Sequence, residues 1–424
     1  MKRLICSTKE DTQITNRILR EGTAEAAGMD PVQVQRLRAL AAEWVANGDT
    51  PSLAVLVARR GIVVLHEAFG VLRHGDTTPS LRRDSIFPIA SCSKSITAAA
   101  VMCLVDDGLI GLNRPFIDYI QEWDVPGVAG LADARVADLL CHTSGIDDLR
   151  LSPFFVGASE RSATLPPPAP GQDPALNTLI HLTAGAPLVC RPGEAMHYSS
   201  IGFNLLGDIV RRVSGQPFWQ FVRSRIFEPL GMNDSGFVLR PDLRERRVYR
   251  APGMPATEPS IWFRGIDAAE RDAADWGGSH ATSTAGDLAV FLQMLLNRGS
   301  YRGKRILSPA GVAAMTRHQV DPAIPKRLSR INPATGQPMD VDLPGGGYGY
   351  GFFIYGQDDR FPANGSLASL SAFGHVGSGG TSIWADPESE VAGVYLSVSP
   401  RMHRDAAIRN SDLFQNAVHA AIID

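Results

Sequence analysis

The chain has 424 residues, of which 44% are hydrophobic and 20% charged, an ordinary composition for a globular protein of two or three domains. Its formal net charge is −3 and it contains no basic stripe, which argues against nucleic acid or an anionic membrane as the main partner. Five cysteines without a CxxC spacing and ten histidines without an HExxH pattern indicate neither a disulfide framework nor a metal site.

The N-terminal segment MKRLICSTKEDTQITNRILREG lacks the apolar core of a signal peptide. The chain also has no apolar run approaching the ~18 residues of a membrane-spanning helix. We therefore expect a cytoplasmic protein without a membrane partner. Residues 1–28 are polar and weakly patterned, and predict an N-terminal extension in the form of an arm or a frayed helix.

The first regular elements follow this extension. Residues 30–48 predict an amphipathic helix that starts at an Asp-Pro pair and stops at a glycine. Residues 51–70 form two β runs around Arg-Arg-Gly and predict an antiparallel hairpin. An apolar helix is predicted from Ser91 to Asp107, with Gly108 suited to the left-handed position beyond its end.

The middle of the chain alternates helices with loops. Apolar residues recur at helical spacing in residues 201–215 and 285–299. Two segments rich in proline and glycine, residues 149–174 and roughly 319–347, predict surface loops. Residues 347–399 return to β patterns and precede a final helix.

Strands at both ends of the chain with helices between them predict an α+β fold. In this fold the N- and C-terminal segments form a central antiparallel sheet flanked by helices, and a mainly helical domain is inserted. We expect residues 1–28 as an extension, residues 29–90 and 280–424 as a discontinuous α/β domain, and residues 91–279 as the helical domain.

Ser91 and Lys94 form a Ser-x-x-Lys pattern where the apolar helix begins. Lysine is rare, with five in the whole chain, and residues three apart share one face of a helix. Burial would lower the pKa of the lysine, and a partly neutral amine could accept the serine proton. The alternative is that Ser91 only caps the helix while Lys94 extends to solvent.

Six segments in family order resemble the serine β-lactamase and penicillin-binding-protein-like hydrolases, closest to class C enzymes and family VIII carboxylesterases. They are IASCSKSITAAAVMCLVDDGLIGLNRPF, VADLLCHTSGI, RPGEAMHYSSIGFNLLGDIVRRVSGQPF, FEPLGMNDSGF, GGSHATSTAGDLAVF and FGHVGSGGTSIWADPESEVAGVYLS. The resemblance implies a β-lactamase-like fold over roughly residues 30–400, with Ser91 acylated and Lys94 and Tyr198 transferring protons. It also implies an oxyanion hole formed by the backbone N–H groups of Ser91 and Ser378.

Two departures from the family pattern bear on the substrate. Ser200 stands where the penicillin-recognising branches have an asparagine, and His375 replaces the lysine of their Lys-Thr-Gly triplet. The resemblance places Ser200, His375 and Gly377 in the substrate site. Because simple esters carry neither an acylamide nor a carboxylate, these departures favour a carboxylesterase acting on a small-molecule ester. His375 could instead bond to Tyr198 or lie on the strand surface, and Tyr198 could be a packing residue.

Several functions remain open at this point. The same acyl-enzyme would serve a β-lactamase, a D-amino-acid peptidase or an acyltransferase, and a catalytically silent ligand sensor could use the same pocket. The chemistry needs no metal and no cofactor. Either Lys94 or Tyr198 could be the base, and the oligomeric state is not indicated by any pattern.

Two further features concern the cleft. Residues 277–281, GGSHA, resemble the nucleophile elbow of α/β-hydrolases, but the polar, charged residues before them do not predict the strand that an elbow needs. We therefore expect Trp276, Gly277 and Gly278 only to line the cleft. Loop aromatics that could wall an acyl pocket are Phe154, Phe155, Trp262, Phe263, Tyr348 and Tyr350.

Overall fold

The structure is a computed structural model of the whole chain. It describes residues 17–78, 80–155, 161, 164–250, 277–278, 280–332, 335, 337–343, 347–355, 365–399 and 407–424. The predicted cleft residues Trp262, Phe263 and Trp276 lie outside this described part.

The described α-helices of five or more residues are α1 Pro31–Ala46, α2 Ser93–Asp106, α3 Val136–Leu140, α4 Pro174–Thr183, α5 Ser200–Ser214, α6 Phe218–Val222, α7 Ala285–Leu296, α8 Pro309–Met315 and α9 Ala407–Ala420. The strands are β1 Arg20–Glu21, β2 Ser52–Arg59, β3 Ile62–Gly70, β4 Phe87–Pro88, β5 Met196–His197, β6 Thr282–Ser283, β7 Ser300–Tyr301, β8 Lys304–Arg305, β9 Lys326–Ile331, β10 Pro338–Asp342, β11 Gly347–Tyr348, β12 Phe353–Ile354, β13 Phe373–Gly377, β14 Thr381–Asp386 and β15 Val391–Ser397. None of the described helices combines the length and the apolar character needed to cross a bilayer.

An eight-stranded sheet joins the two ends of the chain in the order β1-β3-β2-β15-β14-β13-β12-β11. All neighbouring pairs are antiparallel except β1 and β3, which run parallel, so the sheet is mixed at one edge. The predicted α+β arrangement, with strands from both termini, is confirmed. The described part of the predicted N-terminal extension is neither an arm nor a frayed helix, because it supplies the edge strand β1.

The central strand β2 shows how this sheet is covered on both faces. Its residues are buried along the whole strand, and successive side chains point to opposite faces. Leu53, Val55 and Val57 pack in a layer with α1 and α9. Leu56 and its alternate neighbours pack in the larger core that includes α2 and α7. The sheet is therefore the middle layer between two sets of helices.

Helix α2 occupies the centre of the larger core. Every residue from Ser93 to Leu104 is buried, so the polar groups in this part of the helix are shielded from bulk water. The helix begins at Ser93 and not at Ser91 as predicted, because Ser91 belongs to a single 3-10 turn, Ala90–Cys92, that leads into it.

The predicted loop at residues 319–347 is partly wrong. It contains a hairpin in which β9 and β10 pair antiparallel, and β9 also pairs in parallel with β5. The two strands carry charged residues and lack the alternation of apolar and polar residues that predicts a strand. One example is Arg327, which lies opposite Asp342. Cross-strand pairing of this kind stabilises a strand without an apolar pattern. The hairpin matters because β5 leads directly to Tyr198.

A glycine opposite a tryptophan tests the packing of the sheet. Gly393 on β15 faces Trp384 on β14, and a Cβ at position 393 would lie 2.0 Å from the indole ring. We predict that Gly393→Ala lowers the free energy of unfolding by about 3 kcal/mol through overpacking, measured by chemical denaturation. The control is Gly286→Ala on α7, where the atoms nearest to a new Cβ belong to His66 and Thr284 and lie 3.9 Å away. Its stability should be unchanged or higher by up to ~1 kcal/mol. Equal stability of the two variants would contradict this account.

Candidate active site

Ser91 lies in a tight turn whose backbone is unusual. The preceding residue, Ala90, has φ of 48°, in the left-handed region that side-chain-bearing residues seldom adopt. Such a conformation persists only where the surrounding structure enforces it, and it is common at functional sites. Ser91 is 5% exposed. The helix cap is Cys92 and has no side-chain cap bond, so the alternative of Ser91 as a simple N-cap is wrong.

Lys94 is completely buried, and its ammonium nitrogen is surrounded by oxygen atoms. Nζ lies 3.2 Å from Ser91 Oγ, 3.1 Å from Ser200 Oγ and 2.8 Å from the carbonyl oxygen of Gly278. The side chain is 0% exposed, so the alternative in which Lys94 extends to solvent is wrong. The three oxygens match the three N–H donors of an ammonium group.

The same three contacts also suit the neutral amine. A carbonyl oxygen can only accept, so the Gly278 contact always uses one N–H of Lys94. If Ser200 Oγ accepts a second N–H, the lone pair of the amine points toward Ser91 Oγ. Because a hydroxyl can donate as well as accept, the Ser91 proton then lies on the path to Nζ.

Tyr198 joins this cluster from the segment after β5. Its backbone N–H donates to the carbonyl oxygen of Arg327 on β9, which fixes the start of α5. The aromatic ring packs against the imidazole of His142 at 4.4 Å between centroids, with the two ring planes tilted by 37°. Nζ of Lys94 lies 4.9 Å from the centroid of the Tyr198 ring. The structure therefore brings Ser91, Lys94 and Tyr198 together.

The end of β13 lies against the turn that carries Ser91. A Cβ on Gly377 would lie 2.5 Å from the Ile89 carbonyl oxygen and 3.4 Å from the Ser91 backbone nitrogen. Only glycine lets the strand approach this closely. Ser378 follows at once, and the Arg250 guanidinium donates to both its hydroxyl, at 2.7 Å, and its carbonyl oxygen, at 2.6 Å. These contacts hold the peptide of Ser378 beside Ser91.

His375 lies inside the protein and is hydrogen-bonded through both ring nitrogens. It is 1% exposed, so the alternative of a strand-surface residue is wrong. Its Nδ1 lies 2.8 Å from the Val376 carbonyl oxygen and must donate, which leaves Nε2 to accept from the Tyr348 hydroxyl at 3.0 Å. Burial, with the Lys94 charge as a second cause, lowers the pKa of His375 to about 3. The ring is therefore neutral and hydrogen-bonded to Tyr348. Its contact with a substrate stays a prediction.

His142 was missed as a site residue, although the motif that contains it was recognised. Its φ of 65° is again left-handed, and its Nδ1 accepts the Ser199 N–H at 3.1 Å. Burial, followed by the charges of Lys94 and His375, lowers the pKa of His142 well below its usual value. A neutral imidazole thus supports the Tyr198 ring. Its Nε2 has no hydrogen-bond partner among the described residues.

Asp148, two residues beyond the same motif, was also missed. Its carboxylate accepts hydrogen bonds from the Ser199 hydroxyl at 2.6 Å, the Ser200 N–H at 2.7 Å and the Ile201 N–H at 3.1 Å. It therefore binds the N-terminus of α5, directly after Tyr198. The pair Asp147-Asp148 in the sequence was the available clue, but nothing in the pattern indicated which carboxylate faces the site.

Asp147 belongs to a separate polar cluster behind Tyr198. Single ligand-type atoms of Asp147, His197 and Asp340 lie within 4.8 Å of one another. Asp340 is also 3.4 Å from Arg150 and 4.0 Å from Arg327. Burial lowers the pKa of His197, but its contacts, above all with Asp147, outweigh this and raise it to about 9. The positive groups already balance the carboxylates, so we interpret the group as an ion-pair cluster.

Gly277 and Gly278 lie between α2 and α5 and bond to both helices. The Thr97 hydroxyl on α2 donates to the Gly277 carbonyl oxygen at 2.6 Å. The Gly278 N–H donates to Asn204 Oδ1 on α5 at 2.8 Å. A Cβ on Gly278 would lie 2.6 Å from the same oxygen. This tight packing aims the Gly278 carbonyl at Lys94.

Known proteins resemble this chain over most of its length. Residues 37–416 match the Beta-lactamase family. An uncharacterised protein of Mycobacterium tuberculosis is 30% identical over 349 residues, which cover 78% of this chain and 82% of the relative. EstCE1, a hydrolase with promiscuous acyltransferase activity, has a TM-score of 0.67 at 22% identity and covers 92% of this chain and 98% of its own. A family VIII carboxylesterase has a TM-score of 0.64 at 22% identity, and the match covers 91% of this chain and 98% of the carboxylesterase.

The solved structures, at these identities, establish a common fold. The fold and the matched family define the class, a β-lactamase-like hydrolase. The chain belongs to the serine β-lactamase and penicillin-binding-protein-like family, and the predicted resemblance and β-lactamase-like fold are confirmed.

The close approach of β13 to the Ser91 turn gives a direct test of the geometry. We predict that Gly377→Ala, by displacing the strand from Ile89 and Ser91, slows covalent labelling of the protein by a fluorophosphonate by about 100-fold. The measurement is the pseudo-first-order labelling rate.

The matched control is Gly202→Ala on α5, where a new Cβ would meet its nearest neighbour at an ordinary 3.6 Å. This variant should label at the wild-type rate. If Gly377→Ala, with an unchanged melting temperature, also labels at the wild-type rate, the close approach has no role in reactivity.

Proposed function

We propose that this protein is a carboxylesterase that cleaves small ester substrates through an acyl-Ser91 intermediate. The observation that carries the proposal is the buried contact of Lys94 Nζ with Ser91 Oγ, Ser200 Oγ and the Gly278 carbonyl oxygen. When the two N–H groups of a neutral Lys94 amine bond to Ser200 and Gly278, its lone pair is directed at the Ser91 hydroxyl. An amine in this position is a suitable acceptor for the hydroxyl proton.

Acylation begins when the Ser91 proton moves to the Lys94 amine and Ser91 Oγ attacks the ester carbonyl carbon. The carbonyl oxygen becomes an oxyanion, which accepts hydrogen bonds from the backbone N–H groups of Ser91 and Ser378. Each such donor is typically worth about 2.7–4 kcal/mol of transition-state stabilisation. Two contacts support this role. Gly377 packs closely against the turn of Ser91, and the Arg250 guanidinium donates hydrogen bonds to Ser378.

Collapse of the tetrahedral intermediate breaks the bond to the leaving alkoxide. Tyr198 donates its hydroxyl proton to that alkoxide, and the phenolate recovers a proton from the Lys94 ammonium. In the second half, water attacks the acyl carbonyl and gives one proton to the Lys94–Tyr198 pair. The pair returns this proton to Ser91 Oγ as the carboxylic acid leaves, which restores the starting state. The position of Lys94 beside the Tyr198 ring supports the transfer.

Two features favour esters over β-lactams or D-alanyl peptides. His375 is neutral, buried and bonded to Tyr348, so it offers no cation for a substrate carboxylate. Ser200 uses its hydroxyl on Lys94, where an asparagine amide would reach an acylamide group. A simple ester needs neither contact. The cytoplasmic location stays a prediction from the composition.

We predict that the wild-type protein gives a burst of p-nitrophenol from a p-nitrophenyl ester and a stoichiometric fluorophosphonate adduct on Ser91. Nitrocefin should be turned over at least about 100-fold more slowly than the ester, because one missing polar partner costs this much. Tyr198→Phe should lower kcat on the ester by about 10²–10⁴-fold, the usual contribution of a proton-transfer group. Stopped-flow absorbance and intact mass measure these outcomes.

Ser91→Ala should abolish both adduct and burst. The control is Ser93→Ala, two residues further on, whose hydroxyl donates to the Ala90 carbonyl oxygen and accepts the Ala281 N–H. This variant should keep the adduct. An adduct on another residue, or near-native turnover by Tyr198→Phe, would overturn the proposal. Faster nitrocefin than ester turnover would assign a β-lactamase, and acyl transfer to added alcohol in preference to water would assign an acyltransferase.

A further inference from the structure

The carboxylate of Asp148 is bound in the same way as an anion at a helix N-terminus. Both backbone N–H groups that it accepts, those of Ser200 and Ile201, belong to the first turn of α5. The Ser199 hydroxyl, which also accepts the Gly202 N–H at 3.1 Å, supplies the third bond. The free N–H groups and the positive end of the helix dipole stabilise a negative charge there.

One residue connects this carboxylate to the nucleophile's partner. The backbone N–H of Ser200 donates to the Asp148 carboxylate, and the Ser200 hydroxyl oxygen lies at hydrogen-bond distance from Lys94 Nζ. A single residue, Ser200, therefore bridges the carboxylate of Asp148 and the buried amine of Lys94. It also fixes the turn between β5 and α5, and so the backbone that carries Tyr198.

Other ionisable groups of the described residues lie around Lys94 on several elements, and burial leaves the thiol and the two imidazoles among them uncharged at pH 7. Cys92, in the Ser91 turn, has its thiol pKa raised by burial beyond the range in which it would ionise. His142, in the segment after α3, and His375, on β13, both have lowered pKa values, first through burial and then through Lys94. The phenol Tyr198, from the start of α5, completes the set.

Among the residues that the structure describes, Asp148 is the carboxylate joined to Lys94 through a shared hydrogen-bond partner, Ser200. Burial raises its pKa to about 6, against the opposing effects of its three hydrogen bonds and of Lys94. At pH 7 and above the carboxylate is mainly ionised. A buried ammonium without a negative charge nearby is costly, and a nearby opposite charge favours the charged form of both groups.

We propose that Asp148 is a positioning residue that holds the Tyr198–Ser200 turn and supplies the counter-charge of Lys94, thereby setting the pH at which the site becomes active. This inference rests on the proposed function, because it needs Lys94 to act as the proton acceptor. Removing the negative charge should favour the neutral amine, so the acid side of the pH profile should move to lower pH. Losing the charge should also weaken the hold on the turn and lower the maximum rate.

The test is the pH profile of kcat/KM for a p-nitrophenyl ester in Asp148→Asn. An asparagine oxygen in the place of Oδ2 still accepts the Ser200 N–H, and its amide group in the place of Oδ1 can donate to the Ser199 hydroxyl but no longer accepts the Ile201 N–H. We expect the acid-side midpoint to fall by about one pH unit, as for loss of an opposite charge near an ionisable group. The plateau of kcat/KM should fall about 10- to 100-fold. Asp148→Glu, which keeps the charge but displaces it, should lower the plateau and leave the midpoint in place.

A matched control is available on α7. Asp287 also has a pKa raised to about 6 by burial, and it accepts bonds from the Ser235 hydroxyl and the Asp234 N–H. Its charged neighbours are Asp234 and Arg246, not Lys94. Asp287→Asn should therefore leave the midpoint unchanged. A shift of the same size in both amide variants would show a general effect of lost charge and overturn the inference.

An unchanged midpoint in Asp148→Asn, with only a lower plateau, would reduce Asp148 to a helix cap and also overturn the inference. Wild-type protein without ester turnover or a Ser91 adduct would instead remove the proposed function itself. The two failures are distinguishable because the first is seen only in an active wild-type background. Melting temperatures measured for all three variants identify any loss of fold.

Discussion

The burial of Lys94 is the constraint on which the site depends. Moving an ammonium group out of water costs several kcal/mol unless its donors are satisfied. Here three oxygens satisfy them, and each comes from a different part of the chain: the turn before α2, the start of α5 and the Gly277–Gly278 turn. Each of these segments must be placed accurately, since a displaced oxygen would leave the cation poorly solvated. The contacts of Lys94, which we propose to activate Ser91, therefore also fix the junction of the helices.

The electrostatic environment around this contact is simple. Two imidazoles and a thiol lie close to Lys94, and burial keeps all three uncharged at pH 7. Neutral groups pack against Tyr198 without competing for protons near neutrality. Asp148, bound to the N-terminus of α5, contributes the negative charge. The tight turns at Ala90 and His142, both with left-handed φ, indicate that the surrounding core holds strained backbone at this site.

The sequence predicted the parts of the site that are local. Ser91 and Lys94 are three residues apart on one helical turn, and family motifs placed Tyr198 and the end of β13. Roles that depend on contacts between distant segments were not predictable. His375 bonds to Tyr348, 27 residues away, and Asp148 to a turn 51 to 53 residues away. The β9–β10 hairpin was missed for a related reason, because paired charges across strands leave no apolar alternation to detect.

The central claim is that Lys94 can lose its proton within the working pH range, and its charge can be observed directly. With five lysines in the chain, ¹⁵N labelling of lysine gives a simple Nζ spectrum, in which Lys94→Met identifies the signal. The pKa of a lysine in water is about 10.4. The account predicts that the Lys94 signal titrates at least about one pH unit lower and shifts when a fluorophosphonate occupies Ser91. A Lys94 signal that titrates with the solvent-exposed lysines, and does not respond to the inhibitor, would contradict it.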